Sequence, residues 1–132
     1  METQLRGALL DWLRADPLLA AQLNAIDDES PVRASPPWLG IATSASADWS
    51  TKERMGREIR IAVELQTRGD DGSADAALVS ATEKRVNAMP REQSGFELIT
   101  IRFLRARAER RARNLRSILL EYRFRILETP TE

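Results

Sequence analysis

Two runs of alternating apolar residues, separated by an arginine-rich segment, constrain the fold of this chain more than any other feature. Successive side chains of a β-strand point to opposite faces, so a period of two predicts half-buried strands over residues 96–103 and 115–127. The expected inner face of the second strand consists of Ile118, Leu120, Tyr122, Phe124 and Ile126. The first run places Ile99, Ile101 and Phe103 on one face and Leu98 and Leu104 on the other.

The segment between the runs, residues 105–114, is polar and lacks an apolar anchor, as expected for the end of a hairpin. From Arg102 to Arg125 the chain contains nine arginines and two glutamates, whereas the net charge of the whole chain is zero. The remaining residues therefore carry an equal acidic excess. Such asymmetry indicates either a polar assembly surface or a contact with nucleic acid.

Composition narrows the class of protein. With 132 residues, 42% of them hydrophobic, and a mean hydropathy of −0.39, the chain is expected to form one soluble globular domain over residues 1–132. It has no apolar run near the roughly 20 residues that span a bilayer. Charges recur through residues 1–23, which argues against a signal peptide. We therefore expect a protein that is made and used in the cytosol, or released by lysis rather than secretion, with no membrane contact.

The chain has no cysteine and no histidine. This excludes disulfides, thiolate metal sites, thiol nucleophiles and acid–base catalysis by histidine. The sequence also has no phosphate-binding loop, dinucleotide fingerprint or nucleophile–base pattern. The acidic residues at 27–29 and 70–71 are expected to be solvated loop residues rather than a cation site. We predict no catalytic, metal or cofactor site, although a carboxylate metal site and catalysis by carboxylates stay open.

Apolar spacing and capping residues predict two helices at the start of the chain. The first carries one apolar stripe, made of Leu5, Leu9, Trp12 and Leu13. Asp16 and Pro17 are typical of an N-cap and a first helical residue, so a second helix should run to about Asn24. Together the two helices account for residues 1–26.

Two further strands and a third helix are predicted before the hairpin. The strands cover residues 38–46 and 57–66, after a proline-rich linker over residues 27–37. Ser73 is the expected N-cap of a helix over residues 73–89. The inward residues of the second strand are Ile59, Ile61, Val63 and Leu65. The expected face of the helix consists of Ala74, Leu78, Ala81 and Arg85.

The element order α-α-β-β-α-β-β predicts an α+β fold. We expect a four-stranded, largely antiparallel sheet within residues 36–127, with the helices packed on one face. Residues 128–132 are expected to form a short tail.

The arginine cluster is the strongest electrostatic feature, and three interpretations of it stay open. It can bind phosphates, although it lacks the interleaved aromatic residues of a base-stacking platform. It can contact an acidic protein neighbour, or it can be a solvated hairpin end with cross-strand ion pairs. Trp49 either covers the edge of the core or anchors an interface. The interface hypothesis comprises Asp48, Trp49, Lys52, Arg102, Arg105, Arg107, Arg110, Arg111, Arg113, Arg116, Arg123 and Arg125.

Arg102, Arg123 and Arg125 recur at alternate positions of the hairpin strands. Charged residues protect an exposed strand edge from uncontrolled pairing. The same residues are equally compatible with controlled pairing to a second copy of the chain. A closed ring of subunits removes the exposed edge by symmetry.

The sequence resembles the tail-completion or tail-terminator proteins of long-tailed phages and of phage-like gene transfer agents. The resemblance covers nearly the whole chain. It rests on residues 5–20, the proline-led strand at 36–41, the loop Asp48-Trp-Ser-Thr-Lys52, and residues 56–61 and 120–125. The loop is most similar to the gene-transfer-agent branch.

This resemblance implies an α+β, non-enzymatic virion protein of a siphovirus-like particle, assembled in the bacterial cytoplasm. The resemblance also implies that the subunit assembles into a ring, commonly of six, on the head-proximal end of the tail tube. The ring stops polymerisation of the tube protein and joins the tail to the head connector, and DNA passes through its lumen without sequence recognition. The resemblance supplies no catalytic or cofactor residue. The alternative from the residues alone is a DNA-binding module that uses the arginine-rich hairpin at 102–116.

Overall fold

The computed structural model describes residues 1–28, 34–69 and 72–130. The described elements are α1 (Glu2–Arg14), α2 (Pro17–Gln22), β1 (Ile26–Asp27), β2 (Trp38–Asp48), β3 (Gly56–Arg68), α3 (Ser73–Asn87), β4 (Phe96–Arg111) and β5 (Leu115–Glu128). A short 3-10 turn, Ala112–Asn114, joins β4 to β5. Within the described ranges, no helix combines the length and apolar content that crossing a membrane requires.

The strands form one mixed sheet in the order β1-β2-β3-β5-β4. The α+β class is as predicted, but the sheet has five strands instead of four. The additional strand, β1, pairs in parallel with Leu39 and Gly40 of β2, whereas the other three pairings are antiparallel. A strand of two residues shows no periodicity, so the sequence predicts neither residue as strand: Ile26 falls in the expected helical region 1–26 and Asp27 in the linker at 27–37. Residues 29–33 of that linker lie outside the described residues.

The helices pack on one face of the sheet. Leu5, Leu9 and Leu13 of α1 belong to a single buried cluster with the predicted inward residues of β3 and β5. Trp38, Ala62 and Leu127 are buried but lie outside that cluster, on the opposite side of the sheet. We call this opposite side the helix-free face. On β3 it carries Glu58, Arg60, Ala62 and Glu64.

Three bulges correct the predicted faces of the outer strands. Ala42 in β2, and Ile99 and Leu104 in β4, are extra residues relative to the partner strand. Each extra residue reverses the alternation beyond it, because the side-chain period of a strand is two. On β4 the residues that face the helices are therefore Leu98, Ile101 and Phe103, and Ile99 does not join them. On β2 they are Leu39, Ile41 and Ser44, where unbroken alternation predicts Thr43.

The arginine-rich segment at 105–114 is mostly strand. β4 continues in register with β5 as far as Arg111, and only Ala112–Asn114 form the turn. Arg113 and Asn114 close the turn with φ of 63° and 59°. The prediction that the whole segment forms the end of the hairpin was wrong because it consists almost entirely of arginine and alanine, which leaves no apolar period to recognise. Backbone pairing with β5 supplies the strand instead.

The first two helices are as predicted, and α1 is joined to α3 by a reciprocal contact. Asp16 accepts a hydrogen bond from the backbone N–H of Leu19 at 3.3 Å, which confirms the N-cap of α2. The Trp12 indole N–H donates to the Arg85 carbonyl at 2.7 Å, and Nε of Arg85 donates to the Trp12 carbonyl at 2.8 Å. The Arg85 guanidinium also stacks 3.3 Å from the Trp12 ring centroid. This cation–π contact fixes the two helices side by side.

The buried face of α3 differs from the predicted one. It consists of Asp75, Leu78, Thr82 and Val86, and the N-cap is Gly72 rather than Ser73. Two of these buried residues are polar, which hides the apolar stripe in the sequence. The Thr82 hydroxyl donates to the Leu78 carbonyl at 2.8 Å, so its burial leaves no unpaired group.

Asp75 ties α3 to the end of the hairpin. Nε and Nη2 of Arg116 lie 2.7 and 3.0 Å from its two carboxylate oxygens, and the Thr67 hydroxyl donates to it at 3.0 Å. The Arg116 hydrogen bond holds the pKa of Asp75 below its ordinary value of 3.8 against the opposing effect of burial. Because the side chains are only 12% and 15% exposed, solvent screens this pair weakly.

We expect Asp75→Asn to lower the free energy of unfolding at neutral pH by about 2–3 kcal/mol, because it leaves Arg116 without its bidentate partner. The native pKa is depressed, so the stabilisation is complete above the unfolded pKa of 3.8 and is lost as the pH falls through the native value. Urea unfolding between about pH 7 and about pH 2.5 measures this pH dependence of the free energy of unfolding. Asp11→Asn is the control, since Asp11 is 83% exposed. Equal decreases in the free energy of unfolding for Asp75→Asn and Asp11→Asn would contradict the prediction.

Gly56 starts β3 at a point where no larger residue fits. A Cβ there would meet the Trp49 carbonyl oxygen, and would lie 2.6 Å from Cδ2 of Leu127 and 2.9 Å from the Ile126 carbonyl oxygen. Two of these three atoms belong to the backbone and cannot move aside as a side chain can. The glycine therefore permits the close return of the Trp49 loop, residues 49–55, onto β5.

We expect Gly56→Ala to destabilise the protein by about 1–3 kcal/mol through overpacking. Gly7→Ala is the matched control, because nothing lies within 4 Å of a Cβ at that helical position. The free energy of unfolding of the control should rise by about 0.5–1 kcal/mol, because alanine has a higher helix propensity than glycine. Urea unfolding of both variants measures these changes. An unchanged free energy of unfolding in Gly56→Ala would contradict the prediction and show that the Trp49 loop is free to move away.

Candidate functional site

The nine arginines of the predicted interface divide into three groups in the structure. Six arginines belong to the helix-free face, two others point to the side of the helices, and one lies in the turn. The face carries Arg102, Arg105, Arg107, Arg111, Arg123 and Arg125. Arg110 and Arg116 are paired with each other in register on the other side, and Arg113 is in the turn.

Cross-strand register brings three arginines together on the helix-free face. Arg60 of β3 is opposite Arg123 of β5, and Arg123 is opposite Arg102 of β4. We call these three residues the arginine row. Sequence reasoning placed Arg60 on the outward side of its strand but gave no reason to connect it with the hairpin, because strand order and register are not visible in one sequence.

Glutamates on the same face neutralise part of the charge. Nε of Arg123 and Nε of Arg125 lie 3.7 and 3.1 Å from Oε1 of Glu58. Arg105 donates to the carboxylate of Glu121, its cross-strand neighbour. This hydrogen bond lowers the pKa of Glu121 and raises the pKa of Arg105. The cross-strand ion pairs expected of a solvated hairpin are therefore present alongside the unneutralised arginines.

The tip of the hairpin contains fewer unpaired charges than the sequence suggests. Arg107 and Arg111 lie 4.0 and 3.7 Å from oxygens of Glu109. Arg111 also lies 4.0 Å from Glu64, whose carboxylate accepts a 2.6 Å hydrogen bond from the Ser117 hydroxyl. These residues point to the helix-free face, while Arg110 points to the other. A single binding surface made from the whole hairpin at 102–116 is not compatible with this division.

Arg116 has a structural role and stabilises the fold. Its guanidinium is held by Asp75 and also donates to the Gly69 carbonyl. Burial and this bidentate pairing remove it from any interface that needs an accessible cation. The sequence does not distinguish Arg116 from the other arginines of the hairpin, because composition cannot separate a buried cation from an exposed one.

The Trp49 loop lies at the other end of the same face. Trp49 is half-buried, with the Arg125 guanidinium 5.5 Å from its ring centroid. Ser50 fixes the loop by donating to Asp48 at 2.7 Å and accepting from the Gly56 N–H at 3.0 Å. Lys52 is exposed. The loop contacts Arg125 but lies at the opposite end of β5 from the hairpin tip, about 30 Å away at about 3.3 Å per residue.

The acidic residues do not converge on a site. Asp28 lies 2.8 Å from Arg6, and Asp27 lies 3.3 Å from Arg14. Glu29, Asp70 and Asp71 lie outside the described residues. In the part of the chain that the structure describes, no group of three or more acidic residues could hold a metal ion.

The described fold can be compared with known proteins. A family model described as tail completion protein gp17 matches residues 7–127. Among solved structures, the chain is similar to a protein from the virion of a native gene transfer agent particle, with 26% sequence identity and a TM-score of 0.80. The alignment covers 97% of each chain. No curated protein sequence matches.

These matches span α1, the sheet and the hairpin rather than one motif, and they confirm the resemblance predicted from the sequence. The charged sheet face and the Trp49 loop are thus features of a structural protein of the virion tail. The chain belongs to the tail completion protein gp17 family.

Proposed function

We propose that this protein closes with copies of itself into a ring that terminates the tail. In this proposal the ring has six subunits and caps the head-proximal end of the tail tube. It joins the tube protein to the head connector and leaves a lumen for DNA. The subunit has a structural role, which depends on how its copies fit together, and it performs no catalysis.

The observation that carries the proposal is a pair of exposed strand edges on opposite sides of the sheet. β4 is the outermost strand on one side. On the other side β1 pairs only with Leu39 and Gly40, so β2 has no outer neighbour from Ile41 to Asp48 among the described residues. Each edge offers a row of backbone donors and acceptors to another chain.

The directions of the strands suit head-to-tail pairing. β2, β3, β5 and β4 alternate in direction across the sheet, so β4 runs antiparallel to β2. Copies related by rotation about an axis along the strands would therefore place β4 of one beside β2 of the next in antiparallel orientation. Such a contact is heterologous, and when its rotation closes it consumes every free edge.

Side chains along the edges support the same arrangement. Ile99, Phe103 and Leu104 of β4 are 42%, 40% and 36% exposed. On β2, residues 42–47 are only alanine, serine and threonine, without a charge or a proline to block pairing. An isolated subunit with these edges is liable to uncontrolled association, whereas a ring covers them.

The two ends of the sheet then form the two rims of the ring. One rim carries the Trp49 loop with Asp48 and Lys52, and the other carries the hairpin tip with Arg110 and Arg113. We propose that one rim contacts the tail tube and the other contacts the connector. This assigns the residues at the two ends to different partners.

We expect the double variant Ile99→Lys and Leu104→Lys to remain folded but to lose ring formation, because it adds charges to the β4 edge. Size-exclusion chromatography with light scattering, with and without tail tubes, reports the assembly. Negative-stain imaging shows whether the assemblies are rings. The control is Leu18→Lys with Ala20→Lys, which makes the same kind of change on exposed positions of α2. Assembly of the edge variant at wild-type yield would refute edge pairing.

We expect Trp49→Ala to weaken attachment at its rim while costing the subunit only about 0.5–1 kcal/mol, the size of an exposed cation–π contact with Arg125. Thermal unfolding and co-sedimentation with tail tubes or connectors measure the two effects. A large loss of stability with normal attachment would mean that Trp49 serves the subunit and not the interface.

A further inference from the structure

The arginine row is unfavourable within the isolated subunit. Arg60, Arg123 and Arg102 are direct cross-strand neighbours on one face, and adjacent strands are about 4.8 Å apart. Like charges in this position destabilise a sheet. A row of this kind therefore indicates a compensating anion, either in the protein or in a partner.

The protein supplies only part of that compensation. Glu58 is shared between Arg123 and Arg125, so one carboxylate serves two guanidiniums. Within the described ranges, Arg60 and Arg102 form no close ion pair, although the charge of Arg60 interacts with that of Glu121, and both arginines are exposed. Nε of Arg123 is buried and has no hydrogen-bond partner. The centre of the face thus retains unsatisfied donors and positive charge.

The surroundings of the row favour phosphate over a protein surface as the partner. Protein interfaces have an apolar centre enriched in aromatic residues and depleted of charge. Here the centre is charged, and its neighbours on β2 and β3 include the small residues Thr43, Ala45, Ala47 and Ala62. The adjacent cross-strand rows also contain two glutamates, Glu58 and Glu121, each already ion-paired with an arginine. Arginine contacts phosphate without reading sequence, and none of these neighbours offers a ring on which a base could stack.

We propose that the helix-free face, centred on Arg60, Arg102 and Arg123, binds the phosphates of duplex DNA. The proposal rests on the ring, in which one face of every sheet points towards the lumen. A depression of 480 Å³, whose lining includes Arg60, Arg105 and the Glu121 carboxylate paired with Arg105, adjoins the row and gives this face a concave region. Contacts of this kind are weak per subunit and depend on salt, which suits DNA that moves through the ring.

Binding of the full-length chain to a labelled, mixed-sequence DNA duplex tests this, by fluorescence anisotropy between about 50 and 200 mM salt. Arg60→Gln with Arg102→Gln should weaken binding at every salt concentration and reduce the slope of log K against log salt by about 1.8. Arg110→Gln with Arg113→Gln removes the same charge from the hairpin tip and should leave the slope unchanged. Arg60→Lys with Arg102→Lys should restore most of the affinity.

The outcomes distinguish DNA binding by the helix-free face from DNA binding at the hairpin tip and from contact with an acidic protein partner. Absence of salt-dependent binding by the wild type, or an equal loss in the tip variant, overturns the inference. So does a face variant that binds DNA normally but fails to enter particles, which would indicate an acidic protein partner. Rings that form without binding DNA refute this inference alone, whereas DNA binding through the face by a chain that never forms rings refutes the ring alone.

Discussion

The structure depends on the unbroken antiparallel pairing of β3 with β5. Their register runs without a bulge from Gly56 opposite Leu127 to Arg68 opposite Leu115. Over this length every second residue points to the helices, so most apolar residues of both strands enter one core and most charged ones are left on the helix-free face, with Arg116 as an exception. The bulges occur only in the outer strands. The central pair thus fixes the two faces, and the outer strands adapt their shape without disturbing the core.

Charge has different physical roles in different parts of this sheet. Arg116 is buried against Asp75, where removal of its partner leaves a poorly solvated cation. Arg105 lies at the surface opposite Glu121, and solvent screens that pair. Arg60 and Arg102 have no ion pair within the described residues. The same residue type is therefore a structural element, a neutralised surface group or an available ligand, depending on its position in the register.

The sequence predicts the class of the fold, the long hairpin and the inward residues of β3 and β5, because these depend on local periodicity. It does not predict β1, which is too short to show a period, or the bulges at Ala42 and Leu104, which have no reliable local signal. The buried face of α3 was missed because Asp75 and Thr82 are polar, and their partners become known only in three dimensions. The arginine row was missed for a related reason: Arg60 is far from Arg102 and Arg123 in sequence, and only the strand register makes them neighbours.

The bulges at Ala42 and Leu104 lie on opposite margins of the sheet, yet both adjoin the cross-strand row that contains Ala62 and Glu121. A bulge bends its strand and increases the local twist. Two bulges at the same level along the strands bend the two outer strands at the same height, so the sheet is curved along one line across its strands. In the proposed ring this curvature would contribute to the angle between neighbouring subunits and hence to the diameter of the opening.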